Sequence, residues 1–165
     1  IYTLSLHDAL PILASSYIRG TEDNYFSGWK VYCMRWEFYD TFEDNDTRKQ
    51  VILCEYDNSS NQHITRESGM VGAIPVKYMD TQFANWGTQT AQPVLRYAEV
   101  LLSFAEAENE LNGPSAEAVQ ALKQVTDRAG VEIPASATAS KEAFRDYLLL
   151  ERGHELFGPL NTTST

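Results

Sequence analysis

The sequence predicts a mainly α-helical fold with minor β structure and an irregular, aromatic-rich loop region. Between Pro93 and Gly130, and again from Ser140, apolar residues recur three and four positions apart, which is the period of amphipathic helices. All three tryptophans and most tyrosines lie in the first hundred residues, where no helical or strand period is sustained. We therefore expect the long helices in the second half of the chain, and loops and short strands in the first half.

Three helices are predicted, over residues 94–111, 115–129 and 140–157. Asn112-Gly113-Pro114 separates the first two, because Asn-Gly favours a left-handed helix stop and Pro favours a first helical turn. The hydroxyl groups of Ser115 and Ser140 are suited to cap the second and third helices, and Gly130 ends the second. The result is a tetratricopeptide-like helical hairpin plus a further helix.

Each helix of the hairpin has an apolar stripe that should face the core. In the first helix the stripe comprises Tyr97, Leu101, Phe104, Ala105 and Leu111, widened by Ala98 and Leu102. In the second it comprises Ala118, Val119, Leu122, Val125 and Ala129. Five side chains are expected to be buried: Leu101, Phe104, Leu122, Val125 and Leu148.

The first half of the chain carries weaker signals. Residues 33–44 fit one helix, residues 51–56 fit a short strand, and residues 70–80 should be extended. Cys33 and Cys54 form a disulfide only if the protein is exported and the two lie close together. We expect partly buried thiols instead, because cysteine is among the most buried residue types.

The charge of the chain excludes several partners. Its 165 residues include 13 Lys and Arg against 23 Asp and Glu, for a formal net charge of -10. An acidic protein is repelled by nucleic acid and by anionic membrane surfaces. No apolar run reaches the roughly 18 residues of a transmembrane helix.

Signatures of catalysis and metal binding are absent from the sequence. It contains no H-E-x-x-H, C-x-x-C, G-x-S-x-G or phosphate-loop motif. Asp44-Asn45-Asp46 begins like a calcium loop but lacks the glycine and later ligands of an EF-hand. The glutamates of the first helix fit a solvated face better than a glycosidase pair. We predict no catalytic residue, no cofactor and no metal.

Several short motifs carry a family resemblance. They are Asp46-Thr47-Arg48, Arg96-Tyr97-Ala98-Glu99, Ala105-Glu106-Ala107, Arg128-Ala129-Gly130, and Glu151-Arg152 with Glu155-Leu156. In this order they resemble the C-terminal portion of the SusD/RagB family of outer-membrane nutrient-binding lipoproteins, over about residues 25–158. The resemblance implies non-catalytic binding of glycan (oligosaccharide) at the bacterial cell surface. It also implies delivery of that glycan to a TonB-dependent, SusC-like outer-membrane transporter.

The resemblance further implies a location and a division of the chain. The protein is expected to be a surface-exposed outer-membrane lipoprotein, here a fragment without its lipid anchor. Residues 1–12 are expected to be a non-native leader, because IYTLSLHDALPI resembles translated sequencing-adapter DNA. Residues 13–158 should form the family-like domain, and residues 159–165 a tail unlike the family.

Charged residues within the helical motifs have two interpretations. The residues concerned are Arg96, Glu99, Arg128, Glu151 and Arg152. They could clamp a ligand, or they could form a structural ion-pair network that sets how the hairpin packs on the third helix. We favour the structural network because all five stand beside core positions of amphipathic helices.

Aromatic residues are the candidate ligand-binding groups, namely Trp29, Trp36, Trp86 and Tyr25. A sugar presents a flat C–H face with hydroxyl groups at its edge, which suits an exposed aromatic ring flanked by polar groups. For each of the four, packing in a core is the alternative.

Periodicity alone leaves a second function open. A tetratricopeptide-like scaffold that binds a protein or peptide needs the same helical hairpin, and a hydrolase ranks third. An upstream export signal with a lipidated cysteine would support glycan capture. Further helical repeats of about 34 residues would support the scaffold.

Overall fold

The computed structural model describes residues 33–57, 62–77 and 93–157, and the backbone of strands β1 (Ile18–Arg19) and β2 (Tyr25–Phe26). The chain forms two compact units. The helical unit comprises residues 42–48 and 93–157, and the strand unit comprises residues 1–41, 49–92 and 158–165. The predicted mainly α fold with minor β structure is confirmed.

The described residues of the strand unit form one short helix and pairs of two-residue strands. They are α1 (Trp36–Tyr39), β3 (Ile52–Leu53), β4 (Tyr56–Asp57), β5 (His63–Ile64) and β6 (Ile74–Pro75). A 3-10 helix, Thr47–Val51, precedes β3. The strands pair antiparallel as β1 with β2, β3 with β6, and β4 with β5.

Three long helices make up most of the helical unit. They are α2 (Tyr97–Asn112), α3 (Ala116–Ala129) and α4 (Lys141–Leu156), with a 3-10 turn at Ala135–Thr138 before α4. Each predicted boundary lies within three residues of the observed one. None of the described helices is long and apolar enough to cross a membrane.

Local capping chemistry explains these boundaries. Ser115 Oγ accepts a hydrogen bond from the amide of Ala118 at 3.2 Å, and Ser140 Oγ accepts one from Ala143 at 3.1 Å. Gly130 ends α3 in the left-handed conformation, with φ 75° and ψ 24°. Both serine caps and the glycine stop are as predicted. Gly113 differs, because its φ of 77° and ψ of -164° fall outside the left-handed helical region.

The core of the helical unit is apolar and comes from all three helices. Its buried side chains are Leu102, Ala105, Ala118, Ala121, Leu122, Val125, Phe144, Leu148 and Leu156. Burial of Leu122, Val125 and Leu148 is therefore confirmed.

The predicted inward face of α2 is wrong in part. Phe104 is 50% exposed, Tyr97 is exposed, and Leu111 is 81% exposed, while Leu101 is half-buried. The helix has two apolar stripes, and it buries the one that contains Leu102 and Ala105. That stripe also includes the polar Asn109, whose amide donates to the carbonyl of Lys141 at 3.1 Å. The predicted stripe did include Ala105 and Leu102, which are buried, but its members Phe104 and Leu111 lie on the exposed side of the helix.

Two predictions for the strand unit also need correction. The helix expected within residues 33–44 is only four residues long. The strand expected at residues 51–56 is divided into β3 and β4, which bend apart at Cys54 and pair with different strands. The small core beside them contains Tyr56, Met70 and Ile74. Cys33 and Cys54 are both half-buried, and no disulfide joins them.

Candidate functional site

Trp36 is the one candidate aromatic residue whose side chain the structure describes. It begins α1 and is half-buried against the core of Tyr56, Met70 and Ile74. Its indole Nε1 donates a hydrogen bond to the carbonyl of Met70 at 2.9 Å. The polar edge of the ring is therefore satisfied within the protein, which fixes the orientation of the ring.

An arginine covers one face of this indole. The guanidinium carbon of Arg66 lies 4.8 Å from the Trp36 ring centroid, within cation–π range. Arg66 Nη1 and Nη2 donate to Asp40 Oδ1 and Oδ2 at 2.8 and 3.0 Å. The hydrogen bond from Arg66 is the main cause that lowers the pKa of Asp40, so this carboxylate is ionised near neutral pH.

Two further side chains complete the group. The ring of Tyr39 stands at 90° to that of Trp36, with centroids 5.8 Å apart, and Lys49 Nζ lies 5.1 Å from the Tyr39 centroid. We call Trp36, Tyr39, Asp40, Lys49 and Arg66 the Trp36 cluster. It places an aromatic surface, hydrogen-bond donors and a carboxylate acceptor side by side, with Arg66 and Asp40 both about half exposed.

The other three candidate aromatic side chains are not described. Trp29 and Trp86 lie outside the described residues. Tyr25 contributes backbone to β2, opposite Arg19, and its side chain lies outside the described part. Their role in ligand binding stays a prediction.

A second cluster of charges is buried in the helical unit. Arg48 Nε and Nη2 donate to Asp46 Oδ1 and Oδ2 at 2.9 and 2.7 Å, and its Nη1 donates to Glu151 Oε1 at 2.5 Å. All three side chains are buried. Burial alone would lower the pKa of Arg48, but the hydrogen bonds to Asp46 and Glu151 raise it above its ordinary value. The guanidinium therefore stays charged inside the protein.

Glu155 links Arg48 and its two carboxylate partners to two further arginines. Its Oε1 lies 2.7 Å from Arg96 Nη1, and its Oε2 lies 2.6 Å from Arg128 Nη2 and 3.7 Å from Arg48 Nη1. Arg96 Nη2 also donates to the Glu155 carbonyl at 2.7 Å. Arg96 precedes α2, Arg128 ends α3 and Glu155 ends α4, so one fully buried carboxylate joins one end of all three helices.

Residues 42–48 are held against the helices by further contacts. The side-chain amide of Asn45 donates to the Gly130 carbonyl at 2.7 Å, and Thr47 Oγ1 donates to the Ala129 carbonyl at 3.2 Å. The ring of Phe42 lies 4.0 Å from that of His154, centroid to centroid. Together with the Arg48 ion pairs, these contacts attach the segment to the ends of α3 and α4.

The five charged residues proposed from the sequence do not all meet. Glu99 and Arg152 lie 3.8 Å apart, and Arg152 also approaches Glu106 at 3.7 Å. Arg96 and Arg128 come together only through Glu155, and Glu151 pairs with Arg48. Sequence reasoning left Asp46, Arg48 and Glu155 out of the network, although all three stand within the motifs that carry the resemblance.

Metal binding has no structural support in the part of the chain that is described. There, no group of three or more His, Cys, Asp and Glu side chains is arranged to hold a metal ion. His63 contacts Asp57 at 2.9 Å and Glu55 at 3.6 Å through different ring nitrogens. One ion could not bind all three through those atoms.

Comparison with known proteins identifies the family. The model of the SusD family matches residues 50–159, about two thirds of the chain. The matched region includes all three long helices and Arg66, whereas Trp36 and Asp40 precede it. No curated protein and no solved structure matches the chain significantly. The extent of the family match shows that the chain belongs to the SusD family.

Proposed function

We propose that this chain takes part in non-catalytic glycan binding at the bacterial cell surface and delivers the glycan to a TonB-dependent, SusC-like transporter. The SusD family is a nutrient-binding, non-catalytic family, and membership suggests glycan uptake at the cell surface. Family members are typically outer-membrane-associated lipoproteins. In this proposal the protein is held at the outer membrane by a lipid anchor.

The Trp36 cluster is the observation that supports glycan binding within the described residues. The indole is held in place by the Met70 hydrogen bond and is half-buried. Arg66 lies over one face of the ring and pairs with Asp40, and about half of each of these two side chains is exposed. Arginine has five N–H donors and a carboxylate about four lone-pair positions, so both retain capacity after pairing with each other. This combination suits the apolar face and the hydroxyl groups of a sugar.

A tetratricopeptide-like scaffold is the second candidate function, because α2 has an exposed apolar stripe. Val100 and Phe104 are each about half exposed, and Tyr97 and Leu111 are more exposed still. They recur at spacings of three, four and seven residues, which is how a helix presents apolar side chains to another helix. A peptide ligand that competes with oligosaccharide, or binds in its place, would favour this alternative.

The test of glycan binding compares two matched arginines. Arg66→Ala removes the donor group of the Trp36 cluster. Arg145→Ala removes an arginine that donates hydrogen bonds to the Glu110 carboxylate at 2.6 and 2.8 Å in the helical unit. We expect Arg66→Ala to weaken oligosaccharide binding about tenfold, the scale of one charge-assisted hydrogen bond. Arg145→Ala should leave affinity unchanged. Calorimetry with neutral hexasaccharides measures both, and thermal melting checks that both variants fold.

Trp36→Ala is the second variant. It should abolish detectable binding, and it should also lower the melting temperature because the ring is half-buried. Trp36→Phe keeps an aromatic ring and should retain part of the affinity. If Arg66→Ala and Trp36→Phe both bind like the unchanged chain, the Trp36 cluster is not the site. Trp29→Ala and Trp86→Ala, measured in parallel, then show whether those residues are.

A further inference from the structure

Arg66 is already engaged by a carboxylate, and this limits the ligands that the Trp36 cluster can attract. Asp40 occupies both terminal nitrogens of the guanidinium. A carboxylate or sulfate on a ligand would have to displace a group of the same charge that the protein holds in place. The exchange would replace one bidentate pair by another and leave the Asp40 carboxylate beside the incoming charge, so it would bring no gain in binding.

Among the described residues, the charges around the Trp36 cluster are balanced. Arg35 Nε lies 3.3 Å from Glu37 Oε2, and both side chains are exposed. After Asp40, the negative charges of Glu67 and Glu37 also raise the pKa of Arg66. After Arg66, the positive charge of Lys49 also lowers the pKa of Asp40. Three cations (Arg35, Lys49 and Arg66) therefore stand beside three carboxylates (Glu37, Asp40 and Glu67).

In the described part of the chain, nine Lys and Arg side chains lie within 4.0 Å of a carboxylate. The chain as a whole has a net charge of -10. The long-range field of such a protein repels anions, and nothing in the local charges of the Trp36 cluster reverses that sign. A neutral sugar experiences no such repulsion.

We infer that the Trp36 cluster takes uncharged oligosaccharides and discriminates against those that bear uronate or sulfate groups, an inference that rests on the proposed function. Hydroxyl groups can accept from the remaining guanidinium donors and donate to Asp40 without breaking the pair. Asp40 is thus a specificity-determining residue, because it neutralises the arginine that would otherwise recruit an anion.

The experiment measures two affinities on the full 165-residue chain. The probes are neutral hexasaccharides (of glucose, mannose and galactose) and a hexamer of galacturonate, each in 20 mM and 500 mM NaCl. We expect at least tenfold tighter binding of the best neutral probe at low salt. Neutral affinity should change less than twofold with salt. Galacturonate affinity should rise with salt, because salt screens the repulsion.

Asp40→Asn tests the assigned role directly. It leaves Arg66 with an uncharged neighbour, so the ratio of galacturonate affinity to neutral affinity should rise at least fivefold. Glu110→Gln is the matched control, since the Glu110 carboxylate likewise accepts two hydrogen bonds from an arginine, Arg145, in the helical unit. It should leave that ratio unchanged.

The outcomes separate this inference from the proposed function. Failure to bind any of the probes, neutral or charged, overturns the proposed function and the inference with it, whereas binding of galacturonate alone overturns only the inference. If galacturonate binds as tightly as the neutral probes and Trp36→Ala abolishes its binding, glycan capture stands and the inference is wrong. An unchanged affinity ratio in Asp40→Asn likewise refutes the role of Asp40.

Discussion

The helical unit and the strand unit each contain an arginine that donates hydrogen bonds from two of its nitrogens to an aspartate. In the helical unit Arg48 holds Asp46 at 2.9 and 2.7 Å, and in the strand unit Arg66 holds Asp40 at 2.8 and 3.0 Å. Their surroundings differ. The Arg48 and Asp46 side chains are 7% and 1% exposed, whereas those of Arg66 and Asp40 are 47% and 48% exposed.

The same chemical pair has different consequences in the two units. A buried charge has lost its water, so each member must be satisfied by protein, and losing one partner leaves an uncompensated charge. An exposed pair is screened by solvent and adds little to stability. The buried network is thus suited to hold helices together, while the exposed pair remains accessible to a ligand.

The largest expected effect is on the buried network. Glu155→Ala should lower the free energy of unfolding by about 3–5 kcal/mol, because Arg96 loses the fully buried carboxylate with which it pairs, while Arg48 keeps Asp46 and Glu151. Urea denaturation followed by circular dichroism measures the change. Asp40→Ala is the exposed control and should leave the unfolding midpoint within experimental error. Equal losses in the two variants would show that exposure does not separate the two pairs.

Two substitutions of apolar residues compare the stability contributions of a buried and an exposed side chain in the helical unit. Leu122→Ala should cost about 2–5 kcal/mol, since Leu122 is fully buried among all three helices. Phe104→Ala removes a larger side chain from the exposed stripe of α2 and should cost about 0.5 kcal/mol or less. The same denaturation curves provide both values. A large loss in Phe104→Ala would mean that the exposed stripe is covered in solution.

The smallest effect is a shift in one titration. Burial, and then the charge of Glu151, raise the pKa of Tyr147 to about 12 from its model-compound value of 10.0. A raised pKa means that the folded protein favours the protonated form of the tyrosine. The contribution of Tyr147 to the free energy of unfolding is therefore fully present below pH 10 and is lost as pH rises through about 12. Absorbance at the tyrosinate band, compared with a Tyr147→Phe variant, reports the pKa. Ionisation near pH 10 would indicate that Tyr147 is solvated.

Helix boundaries could be predicted from the sequence because their causes are local. The caps at Ser115 and Ser140 act through amides three residues away, and the stop at Gly130 depends on that residue's own backbone conformation. Each of these interactions is complete within about one helical turn, and the periodicity that locates a helix is visible in the same residues.

The candidate site was only partly predictable. Trp36 was identified as an aromatic residue outside the long helices, but its partner Arg66 lies 30 positions further along the chain. No spacing rule joins two residues that far apart in the chain, with a 3-10 helix and three strands between them. Arg66 could be recognised as part of the Trp36 cluster only after folding had brought it to the indole.

The sequence by itself determined where the three long helices begin and end, that their cores are apolar, and that charged family motifs stand beside those cores. The tertiary structure decided which stripe of α2 is buried, which strands pair, and that Glu155 rather than another acid joins the three helices. The reason is physical: capping and periodicity act between near neighbours in the chain. Burial and ion pairing depend on residues as far apart as Arg48 and Glu151, separated by 103 positions, that meet only in the folded protein.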